Sequence, residues 1–332
     1  MIDLHLHLDG SLSPEEILGL AARSGITLPQ KDADSLRPLL EVEPDCRDLG
    51  EYLQKFNLPL QVLQTEETLS LAVYSLVKRL AAQGLCYVEI RFAPQLHLAR
   101  GLTQQQVVAA AVEGLHKGTA EAGMPAQLIL CCMRFDGNQE VNLETVRVAK
   151  AFLGNGVCAV DLAGNEAAFP ARNFTPIFQL AKALDIPYSI HAGEAAGPES
   201  VREALALGAK RIGHGIRSIE DTALLQLLAE RNIPLETCFT SNLQTKAVES
   251  PEKYPLPVFL EQGIPVTVNT DNMTVSGTDL RREYALLQQQ FGFSFSTLQT
   301  IACNAADVAF LPTEQIEKLK AQIAQNFSQF LI

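Results

Sequence analysis

Eight short aliphatic segments, separated by stretches with helical periodicity, constrain the fold of this chain more than any other feature. Most of these segments end in glycine or a polar residue or are followed directly by one. Alternation of strands with helices is typical of parallel βαβ units, and eight such units predict an α/β fold, a closed (β/α)8 barrel. The predicted strands are IDLHLHL (2–8), CYVEIRFA (86–93), AQLILCCM (126–133), CAVDLAG (158–164), PYSIHAG (187–193), RIGHG (211–215), PLETC (234–238) and PVTVNTD (265–271).

Amphipathic periodicity predicts a helix in most of the gaps between these strands. Two regions are longer than one such helix requires: residues 12–84 after the first strand, and residues 279–332 after the last. We expect extra helices in both and one domain over residues 1–332. The helices predicted in the gaps are Thr103–Ala122, Leu143–Leu153, Thr175–Leu184, Glu199–Leu207 and Ile219–Arg231, and the last helix of the chain is Thr313–Phe330.

The long first insertion carries clear helix signals. Ser13 followed by Pro14 and Glu16 predicts a capped helix start, and Gly25 predicts its end. The segment 48–63 (DLGEYLQKFNLPLQVL) is apolar enough to fold over a pocket. We therefore expect the insertion to act as a lid.

Composition narrows the class of protein. The chain has 332 residues, of which 47% are hydrophobic and 19% charged, and its formal charge is −12. No basic run or long apolar run is present, which argues against binding to nucleic acid or to a membrane. Met1 leads directly into a predicted strand, and the seven cysteines form no CxxC pair. These features favour reduced thiols in a cytoplasmic enzyme.

Histidines at predicted strand ends indicate a metal site. His5 and His7 are two residues apart and share one face of the first strand. His191 and Asp271 come from the fifth and eighth strands, whose ends point into the same barrel mouth. Three imidazoles, one carboxylate and a water make a catalytic zinc site, and the ion lowers the pKa of its bound water. We expect one Zn²⁺ per chain, although Fe²⁺ or Co²⁺ also suits such ligands.

Other polar residues lie close to these ligands in the predicted fold. Glu194 is a candidate acid, because an apolar environment raises the pKa of a carboxyl group. His214 is either a fourth ligand or a group that orients the attacking oxygen. Asp161 is expected to support the site from within its strand. We also expect Cys238 to be buried packing, and Glu89 to pair with Arg91 inside the barrel.

Together these motifs resemble those of the adenosine deaminases of the metal-dependent amidohydrolase superfamily. The resemblance covers nearly the whole chain. The matching motifs are HLHLDGSL, KFNLPLQVLQ, YVEIRFAP, DLAGNE, SIHAGE, RIGHG, the SN of CFTSN, and NTDN.

The resemblance implies roles for individual residues. His5, His7, His191 and Asp271 would bind Zn²⁺, Glu194 would protonate purine N1, and His214 would position the attacking hydroxide. Gly164 would offer its backbone N–H to the ring, Asp9 would accept a ribose hydroxyl, and His7 would also border the substrate. Leu53 and Phe56 fall where the family has its hydrophobic lid. The implied reaction is the hydrolysis of adenosine, and of 2′-deoxyadenosine, to the corresponding inosine nucleoside and ammonia.

Two positions depart from the family pattern. Asn272 stands where the family's T-D-D-P motif has an aspartate that contacts N7, and Phe239 stands where C-P-x-S has proline. An amide donates a hydrogen at every pH, so we expect Asn272 to keep the N7 contact. The alternatives are a deaminase of adenine or another 6-aminopurine, a two-metal hydrolase and an inactive nucleoside-binding barrel. Asp9 argues against free adenine, since a ribose-binding carboxylate would have no partner on it. By resemblance, the adenine-specific branch tends to carry glutamate at that position.

Overall fold

Eight parallel strands form the predicted barrel in the computed structural model, which describes residues 1–331. They pair in chain order in two runs, β1 to β4 and β5 to β8. The strands are β1 Ile2–His7, β2 Tyr87–Phe92, β3 Ala126–Arg134, β4 Val157–Gly164, β5 Ser189–Ala192, β6 Arg211–His214, β7 Leu235–Thr237 and β8 Val266–Val268.

Short backbone contacts join the two runs and close the barrel. Val160 of β4 bridges to Tyr188, and Leu6 of β1 bridges to Asp271. At the second seam the N–H of His7 donates to the carbonyl of Asp271 at 2.7 Å. Asp271 therefore lies beyond the end of β8, not within it as predicted, and the seam holds it beside the two histidines of β1.

Helices surround the barrel at the predicted places. The gap helices α6 to α10 overlap the five predicted ones, with boundaries that differ by a few residues. Within the described residues the α-helices are α1 Pro14–Ser24, α2 Ala33–Leu40, α3 Leu49–Tyr52, α4 Asn57–Val62, α5 Glu66–Ala82, α6 Gln104–Ala122, α7 Gln139–Phe152, α8 Thr175–Ala183, α9 Pro198–Leu207, α10 Thr222–Glu230, α11 Phe239–Gln244, α12 Leu256–Glu261, α13 Leu280–Phe291, α14 Phe295–Val308 and α15 Thr313–Leu331.

The insertion after β1 contains α1 to α5 and begins with the predicted capping box. The hydroxyl of Ser13 accepts from the N–H of Glu16 at 3.2 Å, and the Glu16 carboxylate accepts from the N–H of Ser13 at 2.7 Å. Gly25 ends α1 with a φ of 67°, in the left-handed region that glycine favours. The turns from α3 to α4 pack over the carboxyl ends of the strands and line the cavity there.

Charged side chains fill part of the barrel interior, and their pairing differs from our prediction. Arg91 does not pair with Glu89. Its guanidinium lies 3.0 Å from Asp161 and 2.9 Å from Glu236, whereas Glu89 lies 2.5 Å from Arg211. Glu89 and Arg91 share the inward face of β2 but lie at different heights, so each meets partners from the strands opposite.

The remaining features of the fold are the cysteines and the character of the helices. All seven cysteines are free, and Cys238 is buried as expected. Among the described residues, no helix combines the length and the apolar character needed to cross a membrane.

Candidate active site

A mostly apolar cavity of about 390 Å³ opens at the carboxyl ends of the strands. That volume lies in the range of small-molecule sites. Polar groups from β1, β4, β5, β6 and the loop after β8 converge on its floor, while the insertion supplies apolar walls. The polar lining residues are His7, Asp9, Asn57, Asn165, His191, Glu194, His214, Asp271 and Asn272, joined by the hydroxyl-bearing Tyr52 and by Cys131.

The four predicted ligands lie close together at the bottom of the cavity, where His7, His191 and Asp271 line it and the fully buried His5 lies beside them. The Nε2 atoms of His7 and His191 are 3.3 Å apart, and Asp271 Oδ1 lies 3.4 Å from His7 Nε2 and 3.5 Å from His5 Nε2. Tetrahedral ligands about 2.0–2.1 Å from a zinc ion are about 3.3–3.4 Å from one another. His5 Nε2 is buried without a hydrogen-bond partner. The spacing and the orphaned nitrogen therefore fit one metal ion.

Carboxylates behind two of these rings orient them. His5 Nδ1 lies 2.8 Å from Glu236 Oε2, and His191 Nδ1 lies 2.8 Å from Asp161 Oδ2. The hydrogen bond to Glu236 keeps the proton of His5 on Nδ1 and leaves its Nε2 lone pair for a metal, and the negative charge of Asp161 favours a proton on the same nitrogen of His191. Asp161 thus lies where the sequence placed it, as a support for the site.

His214 is oriented in the opposite sense. Its Nδ1 lies 3.0 Å from Asn242 Nδ2, while Asn242 Oδ1 accepts from the Tyr254 hydroxyl at 3.1 Å. The amide therefore donates to Nδ1, and the proton of the neutral ring is on Nε2. Burial, together with the neighbouring His5, holds the pKa of His214 well below its ordinary value, so the ring is neutral. An Nε2–H group can orient an oxygen atom but cannot ligate a metal.

Two site residues adopt backbone conformations that are unusual for their types. His214 has a φ of 61° and Asp271 a φ of 58°. Left-handed conformations of non-glycine residues cost roughly 1–3 kcal/mol and persist where the surroundings hold them. For Asp271 these surroundings include the seam with β1 and Ser241, whose hydroxyl donates to Oδ2 at 2.6 Å.

Glu194 lies in the loop after β5, buried against the same cluster. Its Oε1 accepts from the Thr245 hydroxyl at 3.1 Å, and its Oε2 lies 3.5 Å from His214 Nε2. Burial first, and then the negative charges of Asp271 and Glu166, raise the pKa of Glu194 well above its ordinary value. This environment favours the protonated form of the carboxyl group, which can then deliver its proton to a ligand in the cavity.

The predicted substrate-binding residues also border the cavity. Asp9 is buried, its Oδ1 has no hydrogen-bond partner, and burial raises its pKa to about 6. Gly164 ends β4 with a φ of 104° and lines the wall, as do Leu53 and Phe56. Asn272 is buried against Gly10, where an added Cβ would lie 2.0 Å from its Oδ1. Phe239 is buried beside Tyr254 and does not line the cavity.

Sequence reasoning assigned no role to three residues that organise the site. Glu236 contacts His5 and two arginines, Asn242 orients His214, and Glu166 accepts hydrogen bonds from the loop that carries Glu194. A lone acidic residue inside the aliphatic strand PLETC was the available signal for Glu236. Glu166 lies in the motif DLAGNE and Asn242 in CFTSN, but their roles become visible only from their hydrogen-bond partners in the folded chain.

Comparisons with known proteins agree with this geometry. The model of the family described as Adenosine deaminase matches residues 1–326. An adenosine deaminase of Haemophilus ducreyi is 48% identical over 335 residues, covering 100% of this chain and 97% of that protein.

Solved structures place the chain in the same group of barrels. An adenine deaminase from Arthrobacter aurescens superposes with a TM-score of 0.90 at 30% identity, over 98% of both chains. The Arabidopsis protein ADAL in complex with IMP gives a TM-score of 0.86 at 25% identity, over 99% of this chain and 97% of that one. With this fold, this cluster of histidines and acids, and a family match over nearly its whole length, the chain belongs to the adenosine deaminase family.

Proposed function

We propose that this protein hydrolyses adenosine and 2′-deoxyadenosine to inosine and 2′-deoxyinosine, releasing ammonia. The observation that carries the proposal is a protonatable, buried Glu194 beside three histidines and Asp271 on the floor of a cavity of about 390 Å³. Relatives named adenosine deaminase, at up to 48% identity, support the same activity.

The metal in this proposal is one zinc ion held by His5, His7, His191 and Asp271. The ligand spacing and the tautomers set by Glu236 and Asp161 support this set of four, and the Nε2–H of His214 argues against His214 as a ligand. When bound, the ion would supply a water activated for attack on carbon.

The side chains of Glu194 and His214 donate and orient the protons that the reaction needs. As the water oxygen adds to C6 of the purine, Glu194 donates its proton to N1, so the ring loses aromaticity without gaining charge. The Nε2–H of His214 faces the same region and orients the incoming oxygen. The 6-amino group then takes the proton of the new C6 hydroxyl and leaves as ammonia as the C6–N bond breaks, so the C6 oxygen remains as the carbonyl of inosine. The other proton of the water, released as its oxygen adds, offsets the one that Glu194 gave to N1 and restores the acid.

The cavity suits a neutral nucleoside. The unpartnered carboxylate oxygen of Asp9 needs a donor, and a ribose hydroxyl supplies one. Among the described residues that line the cavity there is no lysine or arginine to meet a 5′-phosphate. Leu53 and Phe56 lie over the site, and we assign them to a lid that excludes water during the reaction.

The alternative is deamination of free adenine, which the similarity to the Arthrobacter aurescens enzyme favours. Adenine has no sugar, so it would leave Asp9 buried and unpaired. That difference argues for the nucleoside.

Parallel assays of adenosine, 2′-deoxyadenosine, adenine and AMP test the proposal. We expect turnover of both nucleosides, much less with adenine and AMP, and one metal ion per chain by elemental analysis. Chelation should abolish turnover and Zn²⁺ should restore it. Faster turnover of adenine than of adenosine, or an active preparation without metal, would overturn the proposal. We place the reaction in the cytoplasm, since seven free cysteines suit a reducing compartment.

A further inference from the structure

Glu166 is a buried carboxylate that does not line the cavity and whose hydrogen bonds the mechanism above does not use. It lies in the loop after β4 and is 2% exposed. Its Oε1 accepts from the N–H of Gly193 at 2.6 Å and from the Ser200 hydroxyl. Its Oε2 accepts from the N–H groups of Glu194 at 3.0 Å, Ala195 at 2.7 Å and Ala196 at 3.1 Å.

Four consecutive backbone N–H groups therefore point at one side chain. Such a run of N–H groups forms a concave site for an anion, which here is a carboxylate of the same chain. Gly193 makes the turn possible with a φ of 73°, and a Cβ at this position would lie 2.6 Å from Val201 Cγ2. The loop conformation thus depends on Glu166 from one side and on close packing from the other.

The Glu166 loop is itself tied to the metal cluster. Arg134, at the end of β3, is buried and donates to the carbonyl of Phe169 at 2.5 Å and to the carbonyl of His191 at 2.6 Å. One guanidinium thereby holds the segment carrying Glu166 against the strand carrying His191. The distance from the Glu194 backbone to the metal ligands is set by this chain of contacts.

The carboxyl group of Glu194 has little else to fix it. Its side-chain contacts are one hydrogen bond, from the Thr245 hydroxyl at 3.1 Å, and an approach of 3.5 Å to His214 Nε2, so the position of its backbone largely decides where the carboxyl group lies. We infer that Glu166 is a positioning residue for the deamination reaction, which aims the proton donor Glu194 at the substrate through the backbone of residues 193–196. This inference rests on the proposed function.

Replacement of Glu166 by glutamine tests it. An amide keeps the size of the side chain but accepts at one oxygen only, so part of the loop loses its acceptor. We expect Glu166→Gln to lower kcat for adenosine by about 10- to 100-fold, since a misplacement near 1 Å can cost about 10²-fold. KM and the metal content should be unchanged. Ser200→Ala, which removes a partner outside the Glu194 loop, should leave kcat within about twofold of the wild type.

A double-mutant cycle distinguishes positioning of Glu194 from a general loss of structure. In a Glu194→Gln background the proton donor is already absent, so Glu166→Gln should cause no further loss of kcat. Equal losses in both backgrounds, or loss of metal from Glu166→Gln, would overturn the inference. Glu166→Asp keeps the negative charge that also raises the pKa of Glu194 but shortens the reach, so it should lower kcat as well, with the same dependence on Glu194; wild-type kcat in Glu166→Asp would mean that Glu166 acts through its charge and would overturn the inference. A wild-type protein inactive on adenosine defeats the proposed function as well, whereas an active one with an additive cycle defeats the inference alone.

Discussion

At the scale of the single residue, Glu194 is a carboxyl group whose surroundings favour its protonated form. Burial and two nearby carboxylates raise its pKa. Glu194→Gln should therefore lower kcat by at least about 10²- to 10⁴-fold, the usual contribution of a general acid, with KM for adenosine little changed. Steady-state kinetics check this. A raised KM with kcat preserved would make Glu194 a binding residue instead.

Asp9 provides the second test at this scale. A hydrogen bond to a charged acceptor contributes roughly 1.5–3 kcal/mol, so Asp9→Ala should lower kcat/KM for adenosine by about 10- to 150-fold. Turnover of adenine, which has no sugar, should hardly change. Equal losses for the two substrates would mean that Asp9 supports the metal site near His7 and does not contact the ribose.

The third test at this scale concerns the expected hydrogen bond between Asn272 and purine N7. Purine N7 only accepts hydrogen bonds, and an amide donates without titrating. In 7-deazaadenosine the acceptor is absent and a buried donor stays unpaired, at a cost of roughly 1–3 kcal/mol. We expect this analogue to be deaminated about one to two orders of magnitude more slowly than adenosine. With Asn272→Ala the two substrates should react at similar rates. Equal rates in the wild type would mean that Asn272 does not face N7.

At the scale of the element, helix α11 and the residue after it support three site groups at once. Ser241 contacts Asp271, Asn242 contacts His214 and Thr245 contacts Glu194. Thr245 follows Ser241 by four residues and Asn242 by three, and residues three or four apart lie on the same side of a helix. A short helix after β7 therefore sets the orientation of the carboxylate ligand, the neutral imidazole and the proton donor together.

Asn242→Asp tests the control of the His214 tautomer. A carboxylate accepts where the amide donates, so the ring proton should move to Nδ1 and Nε2 should lose its hydrogen. We expect kcat to fall by at least about 10²-fold, since a wrong histidine tautomer in a serine protease triad costs about 10⁴-fold. Gln262→Glu, the same amide-to-acid change at an exposed position after α12, should leave kcat near that of the wild type. Similar kinetics for the two variants would refute this role of Asn242.

At the scale of the whole molecule, a buried acid in α13 affects stability. Glu283 accepts hydrogen bonds from Thr240 and Thr278, yet burial raises its pKa to about 7 from an ordinary value of 4.5. The folded state then binds this proton more tightly than the unfolded state does. Its contribution to stability is complete below about pH 4.5 and is lost as the pH rises through about 7.

The expected loss from this one group is about 3 kcal/mol in the free energy of unfolding, since each pKa unit corresponds to about 1.4 kcal/mol. Glu283→Gln cannot titrate, so its stability should fall less than that of the wild type between about pH 5 and about pH 8. Urea denaturation at several pH values measures both profiles. Parallel profiles would show that Glu283 titrates alike in the folded and unfolded states.

Much of this architecture is readable from the chain itself. Alternating aliphatic and amphipathic segments predict the eight strands and the gap helices, and the capping box at Ser13 predicts the start of α1. These features are local, because the repeat of apolar residues every two positions in a strand and about every 3.6 in a helix involves only residues near one another in the sequence. The placement of His5, His7, His191 and Asp271 at one barrel mouth followed from the same pattern, since parallel strands end on one side.

Tertiary structure decided which groups meet. Arg91 pairs with Glu236, 145 residues away, and not with nearby Glu89, because inward-facing side chains find partners at their own height across the barrel. The tautomer of His214 depends on Asn242, and the position of Glu194 on Glu166. Hydrogen bonds need partners within about 3 Å and in line. The local pattern places residues on a face and at a strand end, but such distances exist only once the barrel has closed.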